Sequence, residues 1–271
     1  MVLLNTGDVY NGVIIDAAGL PADPSTFAAE LASSLSLWRA EGRRGLWLRV
    51  PIALATHVPI AVAQGFVFHH CQPDFVMLTQ WLPTDETNKL PAYASHYVGC
   101  AGVVLDEQDR LLVVLEKYAD KPGRWKIPGG LADLGEDIVQ AAQREVMEET
   151  GIAAEYVSVL SFREKHGYLW GCTDLYFVVR MRPVPGATRE IKREEQEILE
   201  CKWMHIDEFC ALEGLYPTQS AIGRIVKASL STPDNVDGIK TDLHREFLPP
   251  LPGSDRPMSL FRNGQGLSLP N

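Results

Sequence analysis

The sequence predicts an α/β protein built as two successive units. Two observations carry this. Strand-type and helix-type apolar patterns alternate through both halves of the chain. A segment without periodicity, Leu82 to Ala94, holds Pro83 and Pro91 and separates them. The 271 residues, 46% of them apolar, are ample for two modest cores. We therefore expect a first α/β domain over 1–92, a second domain over 93–230 and a proline-rich tail over 231–271.

In the first domain, Val9 to Asp16 reads as a short strand. Asp23-Pro24 is a helix start, a capping side chain followed by proline at the first helical position. Phe27, Leu31, Leu35 and Trp38 then recur at helical spacing to about Glu41. Gly45 to Val50 alternates as a strand. Ala53 to Gln64 reads as a second helix, and Phe66–Gln72 and Phe75–Trp81 as two strands joined by a turn. His69-His70 resembles a metal pair. Neighbours in a strand point to opposite faces, so we expect a structural role for it.

In the second domain, Tyr97–Leu105 and Leu111–Glu116 read as strands across the turn Asp106–Asp109, and Lys121-Pro122-Gly123 as a further turn. Strands follow at Val157–Glu164, Asp174–Met181 and Glu200–His205, with a charged loop at Thr188–Gln196. Helices at Asp207–Glu213 and Thr218–Leu230 come next, with Asp207 and Thr218 as plausible caps. From Ser231 the chain is too poor in periodic apolar residues to fold alone. Much of it is expected to be without order or laid over a neighbouring surface.

The stretch that organises the chain is Gly130 to Ile152, read as helix-forming. On a helix Glu145, Glu148 and Glu149 fall within a sector of roughly 100°. Val139, Ala142 and Val146 form an apolar stripe, and Gly151 sits where a left-handed C-terminal cap belongs. Clustered like charges are mildly destabilising on a helix, and Arg144 relieves only part of the conflict. A hard divalent cation such as Mg²⁺ or Mn²⁺ removes it, because such ions take oxygen ligands. The bland alternative is a solvated acidic face.

The spacing of the whole stretch decides between them. Gly130, Glu136, Arg144, Glu145, Val146, Glu148, Glu149, Gly151 and Ile152 fit, without mismatch, the signature of the Nudix hydrolases. The resemblance implies a loop-helix-loop that binds Mg²⁺ or Mn²⁺ and cleaves a diphosphate joined to another moiety. By position it implies Glu145, Glu148 and Glu149 as metal ligands, with Glu136 and a carbonyl at Gly129-Gly130 joining or supporting the shell. It implies Arg144 as the residue that orients the glutamates. Gly45 to Pro51, Gly65 to His70, Gln80 to Pro83, Ser161 to His166, Asp174 to Tyr176 and Cys201 to Met204 resemble one subfamily more closely. That subfamily is the fibroblast-growth-factor antisense type, which includes plant ADP-ribose and NADH pyrophosphatases. This likeness covers roughly residues 8–215. It implies a Nudix α/β/α sandwich with a mixed sheet, preceded by a small α/β pre-Nudix domain, in a homodimer. The implied substrates are ADP-ribose or NADH, giving AMP and a second monophosphate. Coenzyme A, FAD, a sugar diphosphate and a prenyl diphosphate are alternatives, as is a regulatory protein that kept the fold for binding.

The chemistry then needs a base and anion contacts. Glu149 and Glu197 are candidate general bases. Lys126 and Arg163 are candidate phosphate contacts, and exposed salt bridges would explain them equally well. Gly129 and Gly130 allow close backbone approach to substrate. His166, beside Arg163, is a further substrate-binding candidate. Trp125 and Trp170 are possible adenine stackers, with core packing as the commoner fate of tryptophan.

Composition excludes other classes. A net charge of −10 offers no basic footprint for nucleic acid or an anionic membrane. The start carries no secretory pattern and no stretch reads as a membrane span. Five scattered cysteines, Cys71, Cys100, Cys172, Cys201 and Cys210, lack metal-ligand spacing and point to reduced thiols in the cytoplasm.

Overall fold

The computed structural model describes residues 1–118, 123–231, 243–248 and 258–263. The chain divides into two compact units, Met1–Ser95 and His96–Asn271.

The first unit begins with strands β1 (Asn5–Gly7) and β2 (Val13–Ile15), paired antiparallel. The single strand expected over Val9–Asp16 is thus corrected to a hairpin whose turn occupies its first half. The turn forms because the Asp8 carboxylate accepts from the amides of Tyr10 and Gly12 at 2.8 and 2.7 Å. Helix α1 (Pro24–Ala40) starts as expected. Asp23 accepts from the Thr26 amide at 2.7 Å, with proline at the first helical turn. It crosses from β2 to the parallel strand β3 (Gly45–Pro51). Its buried stripe of Phe27, Leu31, Leu35 and Trp38 packs in one core with Leu46, Leu48 and Leu78.

The helix expected over Ala53–Gln64 is two pieces, a 3₁₀ segment Ile52–His57 and helix α2 (Val58–Ala63). Pro59 explains the break, since its ring would collide with the carbonyl four residues back in a continuous α-helix. Strands β4 (Val67–Gln72) and β5 (Phe75–Trp81) complete a sheet of order β1-β2-β3-β5-β4. Strand alternation does not separate His69 from His70, contrary to expectation. A register shift between Phe68 and His70 breaks the strand alternation, and the two Nδ1 atoms lie 2.7 Å apart. His69 Nε2 also meets the Pro91 carbonyl at 2.9 Å, and Tyr93 stacks on His70.

The second unit is an α/β/α sandwich, as expected. Strands β6 (His96–Val104) and β7 (Arg110–Glu116) are followed by the short strands β8 (Trp125–Lys126) and β9 (Gly129–Leu131). The turn expected at Lys121-Pro122-Gly123 lies largely outside the described residues. Helix α3 (Ile138–Thr150) comes next, then β10 (Ala154–Lys165), β11 (Thr173–Pro183) and β12 (Ile198–His205). Helices α4 (Ile206–Ala211) and α5 (Pro217–Ser231) follow. Thr218 lies inside α5 and Asp207 inside the first turn of α4, so neither is a cap. His205 Nδ1 accepts from the Asp207 amide instead. The tail is not bare of structure, because strands β13 (Leu243–Leu248) and β14 (Met258–Asn263) pair within it. They extend a mixed sheet of order β14-β13-β10-β11-β6-β9, in which only β11 and β6 run parallel. A second sheet has the order β12-β7-β8.

Strand alternation divides the core of this unit. Cys100, Val104, Val179 and Met181 meet Ala141, Ala142 and Val146 of α3. Ala101, Val103 and Val178 meet Phe209, Ile222 and Val226 of α4 and α5 on the other face. The turn between β6 and β7 is held by Asp106, which accepts from the amides of Gln108 and Arg110 and from Arg110 Nε. Burial works against its charge, but those donors win and hold its pKa below 3.8. A group depressed in this way stabilises the fold above its unfolded pKa and ceases to as pH falls through the folded value. Asp106→Asn is therefore expected to cost about 1–2 kcal/mol in neutral urea titrations. The gap from the parent should close on acidification below pH 3.8.

Candidate active site

The site is assembled where β9, α3 and the loop before β12 meet. The helix starts later than the sequence suggested, at Ile138 and not Gly130. Asp137 caps it, accepting from the amides of Val139 and Gln140 at 2.9 Å, and Gln140 accepts from the Asp137 amide in return. Residues 132–137 thus form a loop, and Glu136 sits in it rather than on the helical stripe. At the far end Gly151 takes the left-handed conformation, with φ 72°, that the cap requires.

Arg144 is the hub. Its Nε and Nη2 donate to the two oxygens of Glu136 at 2.9 Å each. Nη1 donates to Glu145 at 2.8 Å and Glu148 at 3.1 Å, and Nη2 also reaches the Leu131 carbonyl at 3.0 Å. Its guanidinium is driven further up by these partners, Glu136 first, and the same bonds hold Glu136 below the ordinary carboxylate range. Burial pushes Glu145 upward. Among the described residues no three acidic, His or Cys side chains already close on one point as a finished metal site.

Glu149 is the buried member, only 8% exposed. The Gly129 amide donates to one of its oxygens at 3.1 Å, and Lys126 Nζ lies 3.4 Å from the other. Burial, with Glu145 adding repulsion, lifts its pKa to about 7. Lys126 is itself largely enclosed, 2.6 Å from Glu116 and 3.1 Å from the Gly129 carbonyl. Burial opposes its charge, yet Glu149 and Glu116 overcome this and raise its pKa.

Glu145, Glu148, Glu149, Glu194, Gln196 and Glu197 line one cleft of about 330 Å³. Glu194 escaped the sequence reading; its only signal was its place in the same acidic loop as Glu197. That loop is tied to the end of α3 by the Glu194 amide on the Glu149 carbonyl and the Lys192 amide on the Thr150 carbonyl. The Glu194 carboxylate accepts from the amides of Gln196 and Glu197, which fixes the loop's turn.

The glycines fit this arrangement. A Cβ on Gly130 would stand 2.6 Å from Glu145 Oε1, so only glycine lets that carboxylate lie against β9. The clashing atom is the end of a flexible side chain, so the fold should survive a methyl group while the carboxylate is displaced. Gly130→Ala is expected to keep its melting temperature and lose roughly 10²-fold in kcat/KM, the scale of a 1 Å misplacement. Near-parental turnover would show that the Glu145 position is immaterial.

The remaining predicted residues stand apart from the cleft lining. Arg163 pairs with Asp174 at 3.0 Å and lies over the Tyr176 ring. His166 is exposed and bonded to the Thr173 hydroxyl. Trp125 packs beneath Lys202, and Trp170 is 84% exposed beside Tyr97.

The donor set suits a hard divalent cation. Five carboxylates line a cleft with no lysine or arginine among its walls, and three of them stand on one helix.

Known proteins resemble this chain along most of its length. The family profile described as Nudix hydrolase domain matches residues 3–82, and that described as NUDIX domain matches 95–224. Nudix hydrolase 8 of Arabidopsis thaliana is 43% identical over 204 residues, 74% of this chain and 54% of that protein. The chain thus spans about half the length of that relative. Nudix hydrolase 2 of the same plant is 39% identical over 77% of this chain and 74% of its own length. The human protein named nucleoside diphosphate-linked moiety X motif 6 is 37% identical over 81% of this chain and 70% of its own.

Proposed function

This chain belongs to the Nudix hydrolase family, and we propose that it hydrolyses the diphosphate of a nucleoside diphosphate derivative, ADP-ribose or NADH, to AMP and a second monophosphate. The family generally uses divalent metal ions, and we assign Mg²⁺ or Mn²⁺ here. The observation that carries the reading is the cleft lined by Glu145, Glu148, Glu149, Glu194 and Glu197. We further assign a homodimer and a cytoplasmic location; no helix among the described residues is long and apolar enough to cross a membrane.

Bound between these carboxylates, the cation would offset the negative charge that makes a diphosphate a poor electrophile. Glu145, Glu148 and Glu149 would hold it, with Glu136 and the Gly130 carbonyl in support. Arg144 keeps Glu136, Glu145 and Glu148 aimed together, and Lys126 with the Gly129 amide fixes Glu149. Both Glu149 oxygens are engaged in this way, which fixes the orientation of the carboxylate in the cleft. Glu197 stands on the loop across the cleft and takes the base role. It removes a proton from the attacking water, whose oxygen bonds to one phosphorus as the bridging P–O bond breaks. The departing phosphate leaves as the second monophosphate. Arg163 and His166 would contact the substrate beyond the cleft.

The test is incubation of the full chain with ADP-ribose and with NADH, with Mg²⁺ and with Mn²⁺, while AMP release is followed. No AMP from either substrate would refute the substrate assignment. Glu197→Gln should lower kcat by about 10²–10⁴ with metal affinity unchanged, the scale of lost general-base catalysis. Glu149→Gln should instead weaken metal binding, read by titration calorimetry.

A further inference from the structure

A second cavity stands apart from the catalytic cleft. It lies wholly in the first unit and measures about 560 Å³, within the range of roughly 300–1,000 Å³ typical of small-molecule sites. Nothing in the hydrolysis uses it. Its walls follow from the strand register. Gly45 pairs with Trp81 and Trp47 with Thr79, so Trp47 and Trp81 are diagonal neighbours on the face of the sheet opposite Leu46, Leu48 and Leu78. The backbones of such neighbours stand ~7–8 Å apart, close enough for both indoles to reach one bound ligand. A side chain on Gly45 would strike Leu90, so the missing Cβ lets the linker close the back of the pocket.

The polar groups are placed at its rim. Arg44 is engaged already, lying 5.0 Å over the Trp81 ring and forked onto Glu86 at 2.7 and 3.1 Å. Lys89 is exposed and has no ion pair among the described residues, so its charge is available. Asp8 spends Oδ1 on two backbone amides of the hairpin turn, which leaves Oδ2 as an open acceptor.

We propose that this pocket is a non-catalytic nucleotide site, in which the base lies between Trp47 and Trp81, Asp8 accepts from its exocyclic amine, and Lys89 holds the phosphate. Each part has a distinct chemical reason. Indole faces stack any base, a lone carboxylate oxygen selects one that carries an amine, and a free ammonium selects the charged nucleotide over its nucleoside.

AMP binding to the full chain in excess EDTA, followed by calorimetry, isolates this pocket from metal-dependent binding at the cleft. AMP should bind, adenosine should bind three- to fivefold more weakly, and ribose 5-phosphate should not bind detectably. Trp81→Leu should weaken AMP at least tenfold. Lys89→Ser, an exposed change that leaves the fold alone, should bring AMP down to the adenosine level and leave adenosine unchanged. Both variants should keep parental turnover with Mg²⁺, which separates this test from that of the hydrolase reading. Absence of AMP binding in EDTA overturns the proposal. So does AMP binding that survives either substitution unchanged.

Discussion

An enzyme carrying Glu148→Gln is expected to bind nucleotide and fold normally, yet to lose roughly 10²–10³-fold in kcat with Mg²⁺, about 3–4 kcal/mol of barrier. The reasoning rests on how this carboxylate is held. Glu148 is the exposed member of the helical trio, with 58% of its side chain in solvent and one 3.1 Å contact to Arg144. A pair so exposed contributes only ~0–1 kcal/mol to stability. Removing its charge should therefore move the melting temperature by no more than about 4 °C. The amide keeps the shape and one acceptor oxygen but offers a cation no charge. Loss of rate with retained stability is thus the signature of a ligand, whereas loss of both would mark a structural ion pair. Metal titration gives the second reading, with the midpoint for Mg²⁺ expected to shift upward. A Glu148→Gln protein with near-parental turnover at low Mg²⁺ would remove this residue from the site.

What the sequence disclosed follows from the range of the interactions involved. The glutamate stripe, the glycine at its end and the arginine just before it depend on spacing within one helix, so they were legible. Helix α1 was legible for the same reason, with cap, proline and apolar stripe all local. The true start of α3 was written in Asp137 and Gln140, but the longer signature drew the boundary back to Gly130. Contacts between distant segments were not legible. Glu194 reaches the cleft because the loop before β12 folds back onto the end of α3. Lys126 reads from sequence as a free cation for phosphate, yet it lies between Glu116 and Glu149, ten residues before it and twenty-three after. His69 and His70 break the alternation rule because a bulge intervenes, and bulges leave little trace in residue pattern. The strands within the tail depend on pairing with each other and on Val159 meeting Leu243, neither of which periodicity reveals.

Arg144→Ala should have the broader effect, because it removes the group that makes an acidic site foldable. One guanidinium serves Glu136 with both of its oxygens, Glu145, Glu148 and the Leu131 carbonyl. Without it, Glu136 and Glu145, each with only 14% of its side chain exposed, face one another with no cation between them. Breaking a buried pair by deleting one partner costs ~3–5 kcal/mol. The partial exposure of this cluster places the expected cost below that range, at about 2–3 kcal/mol. Lysine cannot rescue it, since a single ammonium lacks the fork that spans Glu136 and still reaches Glu145. Saturating Mg²⁺ should restore part of the lost stability, because ligand bound only to the folded state adds RT ln(1 + [L]/Kd). The prediction is therefore a variant whose thermal midpoint depends more steeply on Mg²⁺ than the parent's, with kcat still depressed because the carboxylates are no longer aimed together. If Arg144→Ala melted like the parent with and without Mg²⁺, the guanidinium would not be holding these glutamates in solution, and the electrostatic account of the site would fail with it.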